Sequence, residues 1–259
     1  MTESKLSLQD LRIAFGPRIV VDLNRLELGP GEILGLAGES GSGKSITALA
    51  VLGLASTLGA RVEGSVRLDG EELVGAPESR LRELRVSRVS MIFQSPVSSL
   101  DPLLEVGELF ERTLRLHGVR KREASERASD AFREVLLSPD LLRRYPHELS
   151  GGQAQRIAIA MALALRSEVL LADEPTSALD VTVQAEILDL LRRVREERGM
   201  SVLFISHDLA VIAELCDRVA VMQLGRIVEE GPTARVLGEP QDEYTKRLVA
   251  AVPKIGAQV

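Results

Sequence analysis

A single cysteine, Cys216, in 259 residues excludes an internal disulfide and a metal centre built on several thiolates. Cys216 closes an apolar helical pattern, where a small buried hydrophobe is expected rather than a reactive thiol. Tryptophan is absent, and aromatic residues make up 3% of the chain. Acidic residues outnumber basic ones, 38 against 32, for a formal charge of −6. With no basic patch and few rings to stack on bases, a nucleic-acid partner is disfavoured. Long apolar runs are missing too. The longest uncharged stretch, 45–60, has 16 residues, short of the roughly 20 that cross a bilayer as a helix. The first residues are charged and include no apolar export segment. The expectation is a soluble, cytoplasmic chain, for which any membrane role must come through a partner.

The chain has hydrophobic residues in abundance, 45% of the total, ample for a sizeable core. The pattern predicts strands over 6–15, 19–28, 62–68 and 88–93, with a turn at Pro30-Gly31. Val169-Leu170-Leu171-Ala172 is a wholly apolar short run, as a buried parallel strand requires, and 201–205 reads as another. Val183, Ile187, Leu190, Leu191 and Val194 mark one face of a helix. Between 97 and 148, Arg, Glu, Ala and Leu dominate, with Ala128, Ala131, Phe132 and Val135 at helical spacing. The order strand–helix–strand–helix predicts an α/β protein with a mostly parallel sheet. An N-terminal antiparallel β region and a helical insert complete it. The expected organisation is a β region with the first part of the core over 1–94 and the insert over 95–165. The rest of the core follows over 166–231, and a short tail over 232–259.

Two stretches carry most of the chemistry. Gly38-Glu39-Ser40-Gly41-Ser42-Gly43-Lys44-Ser45 fits G-x-x-x-x-G-K-[ST], between an apolar strand pattern and a helical one. Its glycines, Gly38, Gly41 and Gly43, let successive backbone N–H groups point at phosphate oxygens, and Ser40 and Ser42 lie between them. Lys44 is placed to reach the β- and γ-phosphates of ATP, and the Ser45 hydroxyl to ligate Mg²⁺. The second stretch is Asp173-Glu174, at the end of the buried run 169–172. Asp173 is expected to hold Mg²⁺ and Glu174 to polarise an attacking water.

Leu149-Ser150-Gly151-Gly152-Gln153 is a second glycine-rich turn that opens a helix. With it, the chain resembles the nucleotide-binding subunit of an ABC transporter over nearly its whole length. The resemblance implies that Ser150, Gly151, Gly152 and Gln153 face the γ-phosphate of ATP held by a second subunit, a copy or a paralogue. It implies that Gln94 senses Mg²⁺ and the membrane subunit, and that His207, in Phe204-Ile205-Ser206-His207-Asp208, contacts the γ-phosphate. Ser177-Ala178-Leu179-Asp180 resembles the loop that couples two ATP sites, and Phe15 stands where an aromatic ring stacks on adenine.

Further stretches resemble the peptide/nickel importer group. They are Phe93-Gln94-Ser95-Pro96-Val97-Ser98-Ser99-Leu100-Asp101-Pro102, Tyr145-Pro146-His147-Glu148-Leu149, the stretch from Asp173 to Gln184, and the tail from Tyr244 to Pro253, although Asp242-Glu243 stand where the group has His-Pro. The implied protein is an importer ATPase for peptides, nickel or a related solute, peripheral on the cytoplasmic face of the cell membrane. It would pair with a second ATPase subunit, two transmembrane permeases and an extracytoplasmic solute-binding protein. The apolar residues Val97, Leu100, Leu103, Leu104 and Val106, beside Pro96 and Pro102, are expected to receive a permease helix. The alternative is a soluble ABC ATPase acting on ribosomes or DNA. Such proteins resemble either two cassettes in one chain or a cassette split by a long coiled coil, and neither pattern is present.

Overall fold

A bulge sets the first sheet. In the computed structural model, which describes residues 4–94, 100–177 and 179–251, β1 (Leu6–Phe15) buries Leu6 and Leu8, then Leu11 and Ile13. The inward phase changes between them, where the pairing slips between Gln9 and Arg12 and Asp10 adopts φ 48°. One extra residue moves the apolar set to the other parity, so that both halves of the strand face the core. β1 lies antiparallel between β2 (Arg18–Leu28) and β4 (Arg61–Leu68), with β5 (Glu71–Glu72) at the edge.

The same compact unit, Met1–Leu81 with Ser201–Val259, contains parallel strands. β3 (Ile33–Ala37) is buried at every position and runs parallel to both β8 (Ser201–Ser206) and β9 (Arg218–Gln223). β10 (Arg226–Pro232) pairs antiparallel with β9. Strands covered on both faces have no use for alternation, which is why these runs are continuously apolar. The helix Leu209–Leu215 packs against β3 so closely that a Cβ on Gly35 would stand 3.0 Å from Ile212 and 3.1 Å from the Cys216 sulfur. Burial, aided by the neighbouring Asp217 charge, pushes the Cys216 thiol far up, so it stays a protonated packing group as expected.

The second unit, Arg82–Met200, pairs β6 (Val89–Ile92) with β7 (Val169–Asp173) in parallel. Its helical part includes α-helices Val106–Leu116 and Lys121–Glu134, which share an interior. Val106, Phe110 and Leu114 face inward at a spacing of four, as do Ala124, Ala128 and Phe132. Phe110 and Phe132 meet edge-on, with ring centres 5.3 Å apart. Fully burying such a ring is worth about 1.5–3 kcal/mol. The fold is α/β, with parallel strands, an antiparallel β region and a helical segment, as the sequence predicts.

One expectation is corrected here. Leu100 and Val106 do not form a docking surface, because they are 6% and 0% exposed and belong to this unit's interior. Leu103 is 82% exposed, while Val97 lies outside the described residues. An apolar run beside prolines reads the same in sequence whether it fills a core or faces a partner.

Candidate functional site

The phosphate loop begins where β3 ends. Gly38 has φ 150°, and a Cβ there would lie 2.2 Å from the Met222 carbonyl oxygen. Only glycine fits. Gly43, at φ 110°, caps the helix Lys44–Val51 without any side-chain hydrogen bond. The first turn of that helix thus presents N–H groups and the positive end of its dipole to an anion. Lys44 is 5% exposed, yet its ammonium is well served by the loop itself. Nζ donates to Gly38 O at 2.7 Å, to Glu39 O at 2.8 Å and to Ser42 Oγ at 3.4 Å. Thr47 Oγ1 bonds to Gly43 O at 2.8 Å, and Gly225 N to Ser42 O at 2.9 Å, which pins the loop from below. Ser40 and Gly41 are exposed, and Ser45 is half-buried.

His207 belongs to the same unit. β3 and β8 are in register with Ala37 opposite Ser206, so Gly38 and His207 leave adjacent parallel strands at the same level. That is the carboxyl edge, where ligands bind in such sheets. His207 is exposed. Asp208 turns the chain after it, accepting from Ala210 N at 2.8 Å, while its own N–H donates to Ser206 Oγ at 3.0 Å. Phe15 is 37% exposed at the end of β1 and is not a core residue.

In the second unit, β6 and β7 align Ile92 with Ala172, which brings Gln94 beside Glu174. Gln94 Nε2 donates to Glu174 Oε2 at 3.3 Å. A carboxylate accepts, so the nitrogen of Gln94 must face it, and Oε1 is the atom left for a cation. Asp173, 4% exposed, ends β7. Glu174 follows in the left-handed region, φ 49°. A non-glycine there is uncommon and turns the side chain away from the strand's own alternation. Its carbonyl accepts from Ser177 Oγ at 3.1 Å and Ser177 N at 3.3 Å, which holds the turn.

The second glycine-rich turn is a capping box. Ser150 Oγ accepts from Gln153 N at 3.3 Å, and Gln153 Oε1 accepts from Ser150 N at 2.9 Å. The box uses the acceptor side of the Ser150 hydroxyl and keeps its proton available to donate. Ahead of it, Glu148 closes another box on Tyr145; the Tyr145 N–H and then Arg144 hold its carboxyl below the ordinary range. The helix Gly151–Ala164 that follows is tied to the Glu174 turn by Gln155, fully buried, whose Nε2 donates to Pro175 O at 2.7 Å. In the sequence Gln155 carries one signal, a polar residue among the inward positions Ala154, Ile157 and Ile159, and the motifs do not include it. Asp180 caps the helix Val181–Arg198, accepting from Val183 N at 3.1 Å. Ala178 lies outside the described residues.

Within each unit the donor chemistry fits the groups expected. In the first, an uncapped helix start with a buried lysine suits phosphates, and the Ser45 hydroxyl is a ligand type that a hard cation such as Mg²⁺ accepts. In the second, the oxygens of Asp173 and Gln94 are ligands of the same kind.

Comparison with known proteins gives the family. Residues 22–177 match the model of the ABC transporter family. A Brucella abortus (strain 2308) protein, provisionally named a peptide import ATP-binding protein, is 48% identical over 250 residues, 95% of this chain and 75% of that one. The oligopeptide transport ATP-binding protein OppD of Salmonella typhimurium (strain LT2) is 45% identical over 262 residues, 98% of this chain and 77% of OppD. Among solved structures, a dimeric ATP-binding cassette in a post-hydrolysis state with ADP and Pi superposes with a TM-score of 0.78 at 30% identity, over 88% of this chain and 98% of that one. The chain belongs to the ABC transporter family and is one of its ATP-hydrolysing cassettes.

Proposed function

We propose that this chain powers the import of peptides or a related small solute, working as a peripheral subunit on the cytoplasmic face of a membrane. Its partners in this reading are a second cassette, two permeases and an extracytoplasmic solute-binding protein. Support for the substrate class comes from the relatives named for peptide and oligopeptide import. No helix among the described residues is long and apolar enough to cross a membrane, so the reading assigns the passage itself to permeases. The soluble, non-transport alternative has nothing in its favour.

The side chains divide the work in this account. Lys44 and the loop N–H groups neutralise and orient the phosphates. Ser45, Asp173 and Gln94 Oε1 would hold Mg²⁺, which would supply charge neutralisation on the phosphate oxygens. Glu174 takes up the proton side of the attacking water, and Gln94, bonded to Glu174 at 3.3 Å, orients it. His207 donates toward the γ-phosphate, Phe15 stacks on the base, and Asp180 links the two sites of a dimer. Ser150, Gly151, Gly152 and Gln153 meet the phosphates bound by the partner cassette. Dimer closure on ATP and opening after hydrolysis then shift the permeases between two states, since ATP binds the closed state more tightly.

The observation that carries the catalytic reading is the Gln94–Glu174 pair at the end of paired parallel strands. Tagged chain drawn from detergent-solubilised membranes tests the whole. Co-purifying multi-span proteins and ATPase activity that needs Mg²⁺ support it; chain recovered alone, with cation-independent hydrolysis, contradicts it.

A further inference from the structure

The peptide unit joining Gly38 to Glu39 is gripped from both sides. Its carbonyl oxygen accepts from Lys44 Nζ at 2.7 Å, and its N–H donates to Tyr244 Oη at 3.0 Å. In a trans peptide these two groups point in opposite directions, and no cis peptide occurs among the described residues. One rigid plane at the head of the phosphate loop is therefore clamped between the lysine and a residue 205 positions away in sequence.

Tyr244 is itself firmly placed. It is 5% exposed, on the helix Glu243–Ala251, with the Arg247 guanidinium 5.9 Å from its ring centre. The start of that helix is anchored by Glu229 on β10. Its carboxylate accepts from Gln241 N at 3.0 Å and from Asp242 N at 3.0 Å. Asp242 Oδ1 in turn accepts from Tyr244 N at 2.8 Å. Burial raises the phenol's pKa even though the Glu39 N–H pulls it the other way, so the hydroxyl is neutral at pH 7. A chain of bonds thus runs from β10 through the last helix to the phosphate loop and Lys44.

We propose that Tyr244 is a positioning residue for the nucleotide site, holding the Gly38–Glu39 peptide, and through it Lys44, in the shape that receives phosphates. The proposal rests on the reading of Lys44 as the phosphate-binding cation. Without the hydroxyl, the Glu39 N–H loses its acceptor, and the loop spends part of its time in conformations that bind phosphate poorly. Apparent affinity falls in proportion to the competent fraction.

The test measures binding of fluorescent ATP and ADP analogues to the full chain and its melting temperature without nucleotide. Tyr244→Phe keeps the ring and its packing. The expected result is roughly five- to tenfold weaker nucleotide binding with a nucleotide-free melting temperature close to that of the parent, so that the stabilisation conferred by nucleotide shrinks. Glu229→Gln, which loosens the helix start, moves affinity in the same direction. Affinity within twofold of the parent for Tyr244→Phe overturns the proposal. So does a loss of affinity matched by an equal loss of nucleotide-free stability, which marks a merely structural tyrosine. Lys44→Ala serves as the control on the underlying reading: undiminished nucleotide binding by that variant overturns the phosphate-site assignment and the proposal with it.

Discussion

Gln155 Nε2 lies 2.7 Å from the carbonyl oxygen of Pro175, within a fully buried environment for the amide. A helix that opens with Ser150-Gly151-Gly152 is thereby bolted to the turn that carries Glu174. Movement of one must be felt by the other, because breaking this bond strands a carbonyl away from water.

Gln155→Leu keeps volume near the original and removes the donor. An orphaned buried acceptor costs about 1–3 kcal/mol, so thermal melting of the variant falls by several degrees. Nucleotide binding at the phosphate loop holds, while ATP turnover drops. Parent-like stability and turnover contradict the coupling.

Glu174→Gln keeps the shape of the side chain and removes the carboxylate proposed as the base. The expected loss in turnover is roughly 10²–10⁴-fold, with ATP binding retained and ATP-bound dimer accumulating on size exclusion. Near-normal hydrolysis, in an assembly with no other active site, removes Glu174 from its role.

Ser150 separates two contributions. Ser150→Ala loses the cap and costs about 1 kcal/mol of stability. Ser150→Arg adds bulk at the helix start, leaves single-chain ATP binding largely intact and blocks dimer closure. Full hydrolysis by Ser150→Arg, when every signature present carries the change, contradicts a composite site.

Acid should release the last helix. Burial alone raises the Glu229 carboxyl, but the N–H groups of Gln241 and Asp242, with the Thr245 hydroxyl, outweigh it and leave its pKa below the ordinary 4.5. A carboxyl lowered by folding contributes stability that is fully present above its unfolded pKa. That stability is lost as pH falls through the folded pKa. Melting temperature against pH from 7 down to 3 should therefore show a larger acid-side decline for the parent than for Glu229→Gln, which starts lower. Parallel curves contradict the assignment.

Much of this was legible in the sequence because it was local. The phosphate loop needs glycines beside a strand and a helix, and Gly38, Gly43 and Lys44 stand in one short run. Asp173 and Glu174 follow four apolar residues, the pattern of a buried strand, which β7 is. The helical spacing of Ala128, Ala131 and Phe132 foretold buried positions. What escaped depends on distant partners. Nothing near Tyr244 announces Glu39, and Gln155 reads as an ordinary helix polar residue until Pro175 is found beside it. The strands Arg218–Gln223 and Arg226–Pro232 and the helix Glu78–Ser87 were not distinguished. Their patterns are short, and in the helix mostly polar. Leu100 and Val106 mislead for a related reason: hydrophobicity says that a residue will be covered, not by what.

ATP-driven solute uptake by the reconstituted assembly tests the central claim most directly. The tagged chain, isolated with its membrane partners and placed in proteoliposomes, is supplied with ATP on its own side and a mixed pool of short peptides on the other. The account predicts peptide accumulation that requires ATP and is abolished by Lys44→Ala. Hydrolysis without any peptide movement, or uptake indifferent to Lys44, would contradict it.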